Sequence, residues 1–321
     1  MNAKQAGRIV VLGTGGTIAG RAQQAGDNVG YVAGQVRVAD LVSAVPGLAG
    51  IALEVEQVAQ VDSKDMSLAV WQALVRRVSI HLQNPEVSAV VVTHGTDTLE
   101  ETAFLLQRVL QPAKPVVLTC AMRPASALVP DGPQNLSDAV AVAQRAGGGV
   151  VVVCAGQVHG AWDVAKVHTY RLDAFDSGDA GPLACVEESE LRSFRPWPVT
   201  PPGGTQDAEL LDRFLAAETL PRVDILTSHA DADGGLVEAL MARKTDRPLR
   251  GIVVAGTGNG TIHGALASAL DAAQVQGVRV VVGTRCARGR VVPHAGLAFA
   301  DSAGLSPVKA RLALALELLM D

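Results

Sequence analysis

The chain has 321 residues, of which 48% are hydrophobic and only 3% aromatic, and its formal net charge is −5 at pH 7. This length fits two domains of roughly 100–200 residues, each able to bury a core. The charges are scattered and form no basic stripe, so nucleic acid is excluded as an expected partner. No apolar run reaches the roughly 20 residues that cross a bilayer, so no membrane partner is expected either.

The N-terminal residues and the cysteines indicate the compartment. Residues 1–16 contain no signal-type apolar stretch before the first glycine turn. The cysteines show no C-x-x-C spacing and are expected to be reduced and mostly buried. They are Cys120, Cys154, Cys185 and Cys286. We therefore predict a cytoplasmic location.

Short apolar runs alternate with amphipathic segments in the first half of the chain, as is typical of α/β proteins. Four runs are predicted to be strands buried on both faces: 8–13, 88–95, 114–119 and 148–156. Three helices are predicted, one from the spacing of Leu68, Trp71, Val75 and Val78, and two at 98–110 and 135–146. This alternation predicts parallel strands joined by helical crossovers.

A stretch rich in proline and glycine, 194–206, interrupts this pattern and is interpreted as a linker. Beyond it the predicted elements are strand 223–227, helix 235–243, strand 251–256, helix 261–275, strand 278–283 and helix 306–320. We predict an α/β protein with a larger N-terminal domain on a doubly wound, mostly parallel sheet and a smaller C-terminal α/β domain. The predicted boundaries are 1–195 for the first domain, 196–212 for the linker and 213–321 for the second.

The first glycine-rich loop, "LGTGGTIAG" at 12–20, follows the first predicted strand. It fails the dinucleotide-binding pattern because Ile18 stands where the third glycine is needed. It also fails the phosphate-loop pattern, because Arg21 and Ala22 replace the required Lys and Ser or Thr. The hydroxyls of Thr14 and Thr17 then become candidates for chemistry. The alternative is that they only form hydrogen bonds within the turn.

A second loop, "VVTHGTDTLEETA" at 91–103, repeats the order of strand, glycine turn and helix. In one interpretation Thr98 and Glu101 form a capping box at the start of the helix, and Asp97 is favoured there by the helix dipole. That does not explain why Thr96 and Asp97 stand together at the carboxyl end of a strand, near Thr14 in a parallel sheet. A hydroxyl needs a base to become a nucleophile, so this grouping is typical of acyl transfer. His94 is interpreted as a structural hydrogen-bonding residue, and the histidines form no metal-ligand cluster.

These two loops resemble the bacterial-type L-asparaginase family of asparaginase/glutaminase amidohydrolases. The resemblance continues in the same order through "AMRPASALVPDGPQNLSDAV" at 121–140, "DVAKVHT" at 163–169 and "AGTGNG" at 255–260. It covers most of the chain, and the two threonine motifs together are highly specific. It implies the two-domain fold predicted above and a site that uses no metal or organic cofactor.

By this resemblance, Thr14 is the nucleophile that attacks a side-chain amide, forms an acyl-enzyme and releases ammonia. Tyr31 matches a tyrosine on a mobile lid that assists the nucleophile. Thr96, Asp97 and Lys166 match a second group that activates water or assists the first attack, and the division of roles between the two groups stays open. Thr17 is left with a loop-shaping role.

The same resemblance assigns the residues that bind a free amino acid. Ser63 matches the residue that holds the α-carboxylate, and Asp97 also pairs with the α-ammonium. Asn259 matches a residue that approaches the site of a neighbouring subunit in an intimate dimer. The family implies a homodimer or a homotetramer built from such dimers.

The chain departs from the family at two places. Lys64 follows the substrate-binding serine where Gln or Glu is frequent, so it is a candidate substrate-binding residue that changes how the α-ammonium is held, or else it points to solvent. In the segment 286–307 no residue matches the glutamate that a neighbouring subunit often contributes.

The sequence therefore predicts an amidohydrolase that converts L-asparagine to L-aspartate and ammonia through a threonyl ester, with minor action on glutamine. One alternative is an amino-acid-binding sensor with little turnover. The other is an ammonia-releasing amidotransferase-type subunit. The ratio of activity on asparagine to activity on glutamine is not predicted.

Overall fold

The computed structural model describes residues 7–24, 26–197, 208–243 and 245–321 of the chain. The chain divides into two compact units, Met1–Leu211 and Asp212–Asp321. Most of the predicted linker at 196–212 lies outside the described residues, so its boundaries remain a prediction. Within the described ranges, no helix combines the length and the apolar character that crossing a membrane requires.

The N-terminal unit contains twelve strands and four helices among its described residues before a helix that crosses the division. The strands are β1 (Arg8–Gly15), β2 (Arg21–Ala22), β3 (Tyr31–Val32), β4 (Leu53–Val61), β5 (Val87–Thr93), β6 (Pro115–Thr119), β7 (Gly149–Cys154), β8 (Gln157–Gly160), β9 (Ala165–Lys166), β10 (Phe175–Asp176), β11 (Ala184–Glu187) and β12 (Glu190–Ser193). The helices are α1 (Val38–Ser43), α2 (Leu68–Gln83), α3 (Leu99–Leu110) and α4 (Gly132–Arg145), followed by α5 (Ala208–Ala216).

One large sheet organises this unit, with strand order β12-β11-β8-β7-β6-β5-β1-β4. The five strands β4, β1, β5, β6 and β7 run parallel, whereas β8, β11 and β12 pair antiparallel beyond β7. The predicted mostly parallel α/β fold is confirmed. The four predicted strands and three predicted helices are all present, although α4 begins at Gly132, where the helix accommodates Pro133 in its first turn.

Both faces of the sheet are covered, as its apolar strands require. Ile9 and Val11 of β1 pack in one cluster with Leu136 and Val140 of α4. The intervening residues Val10 and Leu12, which point to the opposite face, are completely buried as well. The core therefore holds β1 between β4 and β5, one strand in from the end of the sheet.

The register between β1 and β4 is broken near the carboxyl end of β1. Gly13 pairs with Gln57, but Gly15 pairs with Val61. The pairing therefore advances four residues along β4 while it advances only two along β1. The side chain of Gln57 accepts a hydrogen bond from the N–H of Val38 at 2.9 Å and donates to the Ala59 carbonyl at 2.6 Å. The bulge therefore lies opposite Thr14.

The C-terminal unit has a parallel sheet of four strands among its described residues, in the order β13-β14-β15-β16. Its strands are β13 (Arg222–Thr227), β14 (Leu249–Gly256), β15 (Arg279–Thr284) and β16 (Ala300–Asp301), and its helices are α6 (Gly235–Ala242), α7 (Gly264–Val275) and α8 (Pro307–Met320). Leu314 of α8 packs on one face with Val253, while Leu270 of α7 packs on the other with Val254. The predicted smaller α/β domain is confirmed.

Candidate active site

Thr14 lies within β1 and not in the loop after it, where the predicted strand 8–13 had placed it. Its side chain is buried, with 1% of the residue exposed, and its hydroxyl donates to the carbonyl of Thr93 at 2.9 Å. Thr93 is the last residue of β5, the parallel neighbour of β1. The carboxyl ends of these two strands therefore meet at Thr14, which is the edge where open α/β sheets bind ligands.

Two glycines bring three chain segments into direct contact. A Cβ on Gly16, whose φ is +80°, would lie 2.2 Å from the Cα of Gly95, and a Cβ on Gly95 would lie 2.5 Å from the Oγ of Ser63. No larger residue fits at either position without moving the backbone. The first glycine loop, the second glycine loop and the Ser63 segment therefore share one junction.

Ser63 is buried and is tied twice to the second loop. Its Oγ accepts from the N–H of Asp97 at 3.1 Å, and its carbonyl accepts from the hydroxyl of Thr98 at 2.8 Å. The interpretation of Thr98 as part of a capping box is wrong, because its side chain makes no cap bond at the start of α3. The hydroxyl binds a neighbouring segment instead of its own helix.

Lys166 on β9 connects the two polar residues of the second loop. Its Nζ donates to the Oγ1 of Thr96 at 2.7 Å and to the Oδ1 of Asp97 at 2.6 Å. Thr96 is buried, and the Lys166 side chain is 19% exposed, whereas that of Asp97 is 53% exposed. The structure thus brings together the three predicted residues, with a buried hydroxyl, a cation and an accessible carboxylate.

Tyr31 reaches the first glycine loop from the short hairpin formed by β2 and β3. Its phenol oxygen lies 2.6 Å from the hydroxyl oxygen of Thr17. Burial raises the pKa of Tyr31 above its usual value, against the opposing effect of the Thr17 hydrogen bond, and Asp62 and Asp97 raise it further. The phenol is therefore protonated at neutral pH. Thr17, for which only a loop-shaping role was expected, is the contact that holds Tyr31.

Lys64 is an exposed residue whose charge is held by its neighbours. Its ammonium group contacts Asp65 and lies 4.0 Å from Asp62, and 61% of the side chain is exposed. The hydrogen bond to Asp65 raises the pKa of Lys64, and the charges of Asp65, Asp62 and Asp97 act in the same direction. Lys64 thus lies next to Ser63 but directs its charge to two carboxylates.

Asn259 belongs to the C-terminal unit and makes two hydrogen bonds there. Its Nδ2 donates to the carbonyl of Val292 at 3.0 Å, and its Oδ1 accepts from the N–H of Val292 at 2.7 Å. Val292 lies in the segment 286–307, in which no glutamate could be matched. The side-chain amide of Asn259 therefore anchors that segment.

The cysteines are free, as expected, but only Cys120 and Cys154 are buried; Cys185 is half-buried and Cys286 is exposed. The expectation that most of them are buried is therefore wrong for two of the four. Within the described ranges, no group of three or more His, Cys, Asp or Glu side chains is placed to hold a metal ion.

Comparison with known proteins identifies the family. Residues 8–198 match the family model described as "Asparaginase, N-terminal", and residues 222–320 match the "Glutaminase/Asparaginase C-terminal domain". The chain belongs to the asparaginase family. The resemblance carried by the two threonine motifs is thereby confirmed.

Several asparaginase-family proteins are similar over nearly the whole chain. "Probable L-asparaginase periplasmic" of Haemophilus influenzae is 36% identical, covering 99% of this chain and 90% of its own. "Glutaminase-asparaginase" of Pseudomonas fluorescens is 35% identical, covering 85% and 74%. The crystal structure of a probable cytoplasmic L-asparaginase from Campylobacter jejuni has a TM-score of 0.87 and 35% identity, covering 98% of this chain and 96% of that one.

Proposed function

We propose that this protein hydrolyses the side-chain amide of L-asparagine to give L-aspartate and ammonia, with minor action on L-glutamine. The observation that carries the proposal is the pair of hydrogen bonds from Lys166 to Thr96 and Asp97, on a loop that contacts the loop of Thr14. Membership of the asparaginase family supports it, as do similar proteins named L-asparaginase and glutaminase-asparaginase.

The proposed reaction has two halves. In the first, the Thr14 oxygen attacks the amide carbon, the carbon–nitrogen bond breaks, and the nitrogen leaves as ammonia after gaining a proton. In the second, water attacks the resulting threonyl ester and releases the carboxylate product and the Thr14 hydroxyl. Each attack passes through a tetrahedral oxyanion, which donors fixed before the reaction stabilise.

The starting position of Thr14 bears on the first half. Its hydroxyl donates to the Thr93 carbonyl, which is not a base, so this hydrogen must turn to another acceptor before attack. Tyr31 is the proposed assisting group on the Thr14 side. The hydroxyl of Thr96 accepts a hydrogen bond from the Lys166 ammonium, and we propose that this second group activates water or assists the first attack.

Charges around Ser63 and Asp97 suit a zwitterionic substrate. Two ammonium groups, those of Lys64 and Lys166, face three carboxylates, those of Asp62, Asp65 and Asp97. The surplus of one negative charge favours an α-ammonium group, and Ser63 is the proposed contact for the α-carboxylate. A charge-assisted hydrogen bond of this kind contributes about 1.5–3 kcal/mol.

Ammonia release from asparagine and glutamine tests the activity directly. We expect release from asparagine, and a loss of at least ~10³-fold in kcat for Thr14→Ala and for Thr96→Ala, because a nucleophile and its activating group act as a unit. Ser268→Ala, which removes an exposed hydroxyl from α7, is the matched control and should keep full activity. Binding of asparagine without ammonia release would instead indicate a sensor.

Acid quenching followed by peptide mass spectrometry tests the nucleophile. The ester should add the mass of the acyl group to the peptide that contains Thr14. Its appearance on the peptide that contains Thr96 would exchange the proposed roles of the two threonines. Wild-type activity in Thr14→Ala would contradict the proposal that the threonyl ester forms at this position.

Assembly and location complete the proposal. We propose a homodimer or homotetramer in which Asn259 approaches the site of a neighbouring subunit, and sedimentation of a monomer at micromolar concentration would contradict it. We also propose a cytoplasmic location, supported by similarity to the probable cytoplasmic L-asparaginase of Campylobacter jejuni. Cell fractionation that finds the protein in the periplasm, the location named for the Haemophilus influenzae relative, would overturn this.

A further inference from the structure

His94 directly follows β5 and is completely buried. Its backbone N–H donates to the carbonyl of Thr119 on β6 at 2.9 Å. Its ring has two polar neighbours: the carbonyl oxygen of Gly95 lies 2.7 Å from Nδ1, and the hydroxyl of Thr102 lies 3.0 Å from Nε2. The interpretation of His94 as a hydrogen-bonding residue is confirmed, and both ring nitrogens are engaged.

The direction of each hydrogen bond follows from the chemistry of the partners. A carbonyl oxygen only accepts, so Nδ1 carries the hydrogen. Burial lowers the pKa of His94 to about 4, so the ring is neutral at pH 7 and Nε2 has a free lone pair. Thr102 must therefore donate its hydroxyl hydrogen to Nε2.

A residue of a second helix, α2, begins this series of hydrogen bonds. The indole N–H of Trp71 on α2 donates to the hydroxyl oxygen of Thr102 on α3 at 2.9 Å. An indole N–H is only a donor, so Thr102 accepts from Trp71 and donates to His94. Hydrogen bonds therefore run in one direction, from Trp71 through Thr102 and His94 to the Gly95 carbonyl, with every hydrogen assigned.

The end of this series is the junction of the active site. Gly95 is in contact with Gly16 of the first loop and with Ser63, and the next residue is Thr96. Rotation of the Gly95 carbonyl would turn the peptide that joins Gly95 to Thr96. It would also shift the backbone against Gly16, where no space exists.

We propose that His94 is a positioning residue, which fixes the Gly95 carbonyl through its Nδ1–H and thereby sets the placement of Thr96 relative to Ser63 and the first glycine loop. Its kinetic consequences rest on the proposed amidohydrolase function. The hydrogen-bond arrangement itself does not, and it can be observed in inactive protein.

Nitrogen NMR of histidine-labelled protein tests the arrangement. The chain has seven histidines, and the resonances that disappear in His94→Asn identify His94. We expect the neutral ring with hydrogen on Nδ1, unchanged from pH 7.5 to pH 5.5. A ring with hydrogen on Nε2, or a charged ring at pH 7, would overturn the proposal whether or not the protein releases ammonia from an amide.

Kinetics of two substitutions test the role. The side-chain amide of Asn can place an N–H where the Nδ1–H of His94 lies, whereas Phe keeps the ring shape without a donor. We expect His94→Phe to lower kcat about 10-fold or more, with KM changed less than about threefold, since small misplacements near the reacting groups are costly. We expect His94→Asn to keep kcat within about threefold of wild type.

A second buried histidine provides the matched control. His159 is 1% exposed, and its Nδ1 lies 2.8 Å from the hydroxyl oxygen of Ser177 in the same unit. His159→Phe should lower the melting temperature but leave kcat within about twofold. A folded His94→Phe with wild-type kcat would overturn the positioning role. If that variant does not fold, a His94→Asn variant with kcat reduced 10-fold would overturn it instead.

Discussion

The phenol oxygen of Tyr31 lies 2.6 Å from the hydroxyl oxygen of Thr17, so the two residues act as one unit. The ring of Tyr31 also packs at Gly20, where an added Cβ would lie 2.7 Å from the ring. Thr17 is the residue after Gly16, which contacts Gly95. The position of Tyr31 is therefore fixed by the glycine loop that follows β1, the strand that carries Thr14.

This pairing predicts that Thr17→Val and Tyr31→Phe have similar effects. Each removes the same hydrogen bond, so each should lower kcat about 10-fold while changing KM less, because the orientation of an assisting group is lost. The double variant should be no slower than the slower single variant, as expected for two residues in contact. Steady-state ammonia release measures this, and an unchanged rate for Tyr31→Phe would remove Tyr31 from the mechanism.

Thr98→Val should weaken substrate binding more than turnover. The substitution keeps the shape of the side chain but removes the hydroxyl that donates to the Ser63 carbonyl. A net hydrogen bond of about 1 kcal/mol corresponds to a rise in KM of roughly fivefold. Thr98→Ser retains the hydroxyl and should stay within about twofold of wild type. Equal KM values for the two variants would contradict this role of Thr98.

Gly16→Ala should inactivate the protein, whereas Gly50→Ala should not. Both glycines have positive φ, +80° and +86°, so both substitutions carry backbone strain of roughly 1–2 kcal/mol. Only at Gly16 would the new methyl group collide with another backbone, that of Gly95; at Gly50 it meets nothing within 4 Å. Thermal unfolding and ammonia release of the two variants distinguish the effect of backbone strain, which both share, from that of the steric clash with Gly95, which only Gly16→Ala has. An active, stable Gly16→Ala protein would show that the junction is not tightly packed.

Lys64→Gln should lower the KM for asparagine by up to about fivefold. It removes one positive charge next to Ser63 and leaves Asp62 and Asp65 to attract an α-ammonium group. The size is limited because these charges are exposed and screened by solvent. The difference between variant and wild type should shrink as salt rises from about 20 mM to about 0.5 M. A KM that increases would show instead that Lys64 contacts the substrate carboxylate.

Stability should fall as the pH is lowered from about 6.5 toward 4. Burial lowers the pKa of His94 from the ordinary 6.5 to about 4, so in this range the unfolded chain binds a proton that the folded chain does not. The part of the free energy of unfolding that depends on His94 titration is fully present above pH 6.5. It is lost progressively as the pH falls from 6.5 toward 4, with a total size of order 3 kcal/mol. Urea unfolding measures the change in the free energy of unfolding between pH 7.5 and pH 5 for wild type and for His94→Asn. Subtracting the two changes isolates the effect of His94, because the other titrating groups contribute equally to both proteins. Parallel losses in the two proteins would contradict it.

The strands and helices that could be predicted from the sequence are those with the strongest patterns. Val-rich runs such as β5 and β7 are buried along almost their whole length, as their composition indicates. Strand β4 was missed because it is half-buried along its length and lies at the end of the sheet. The antiparallel strands β8, β11 and β12 have only four residues each, which is too short for a clear period of two.

For the site, the motifs predicted which residues meet but not how they are connected. Thr96, Asp97 and Lys166 form the expected group. Thr17 and Thr98 were assigned local roles, because loop and cap hydrogen bonds are the usual partners of a threonine near a turn. Their partners, Tyr31 and Ser63, come from separate segments. Contacts between segments distant in sequence depend on the packing of the sheet, which no local pattern encodes.

The broken register between β1 and β4 makes the length of β4 a design constraint. The two additional residues of β4 lie beside Thr14, and the Gln57 side chain donates to the Ala59 carbonyl within this irregular stretch. Removing them would restore a continuous ladder and draw Ser63, two residues beyond β4, away from Gly95. A chimera between this protein and a relative should therefore exchange β1, β4 and the Ser63 segment as one block, with crossover points placed outside all three.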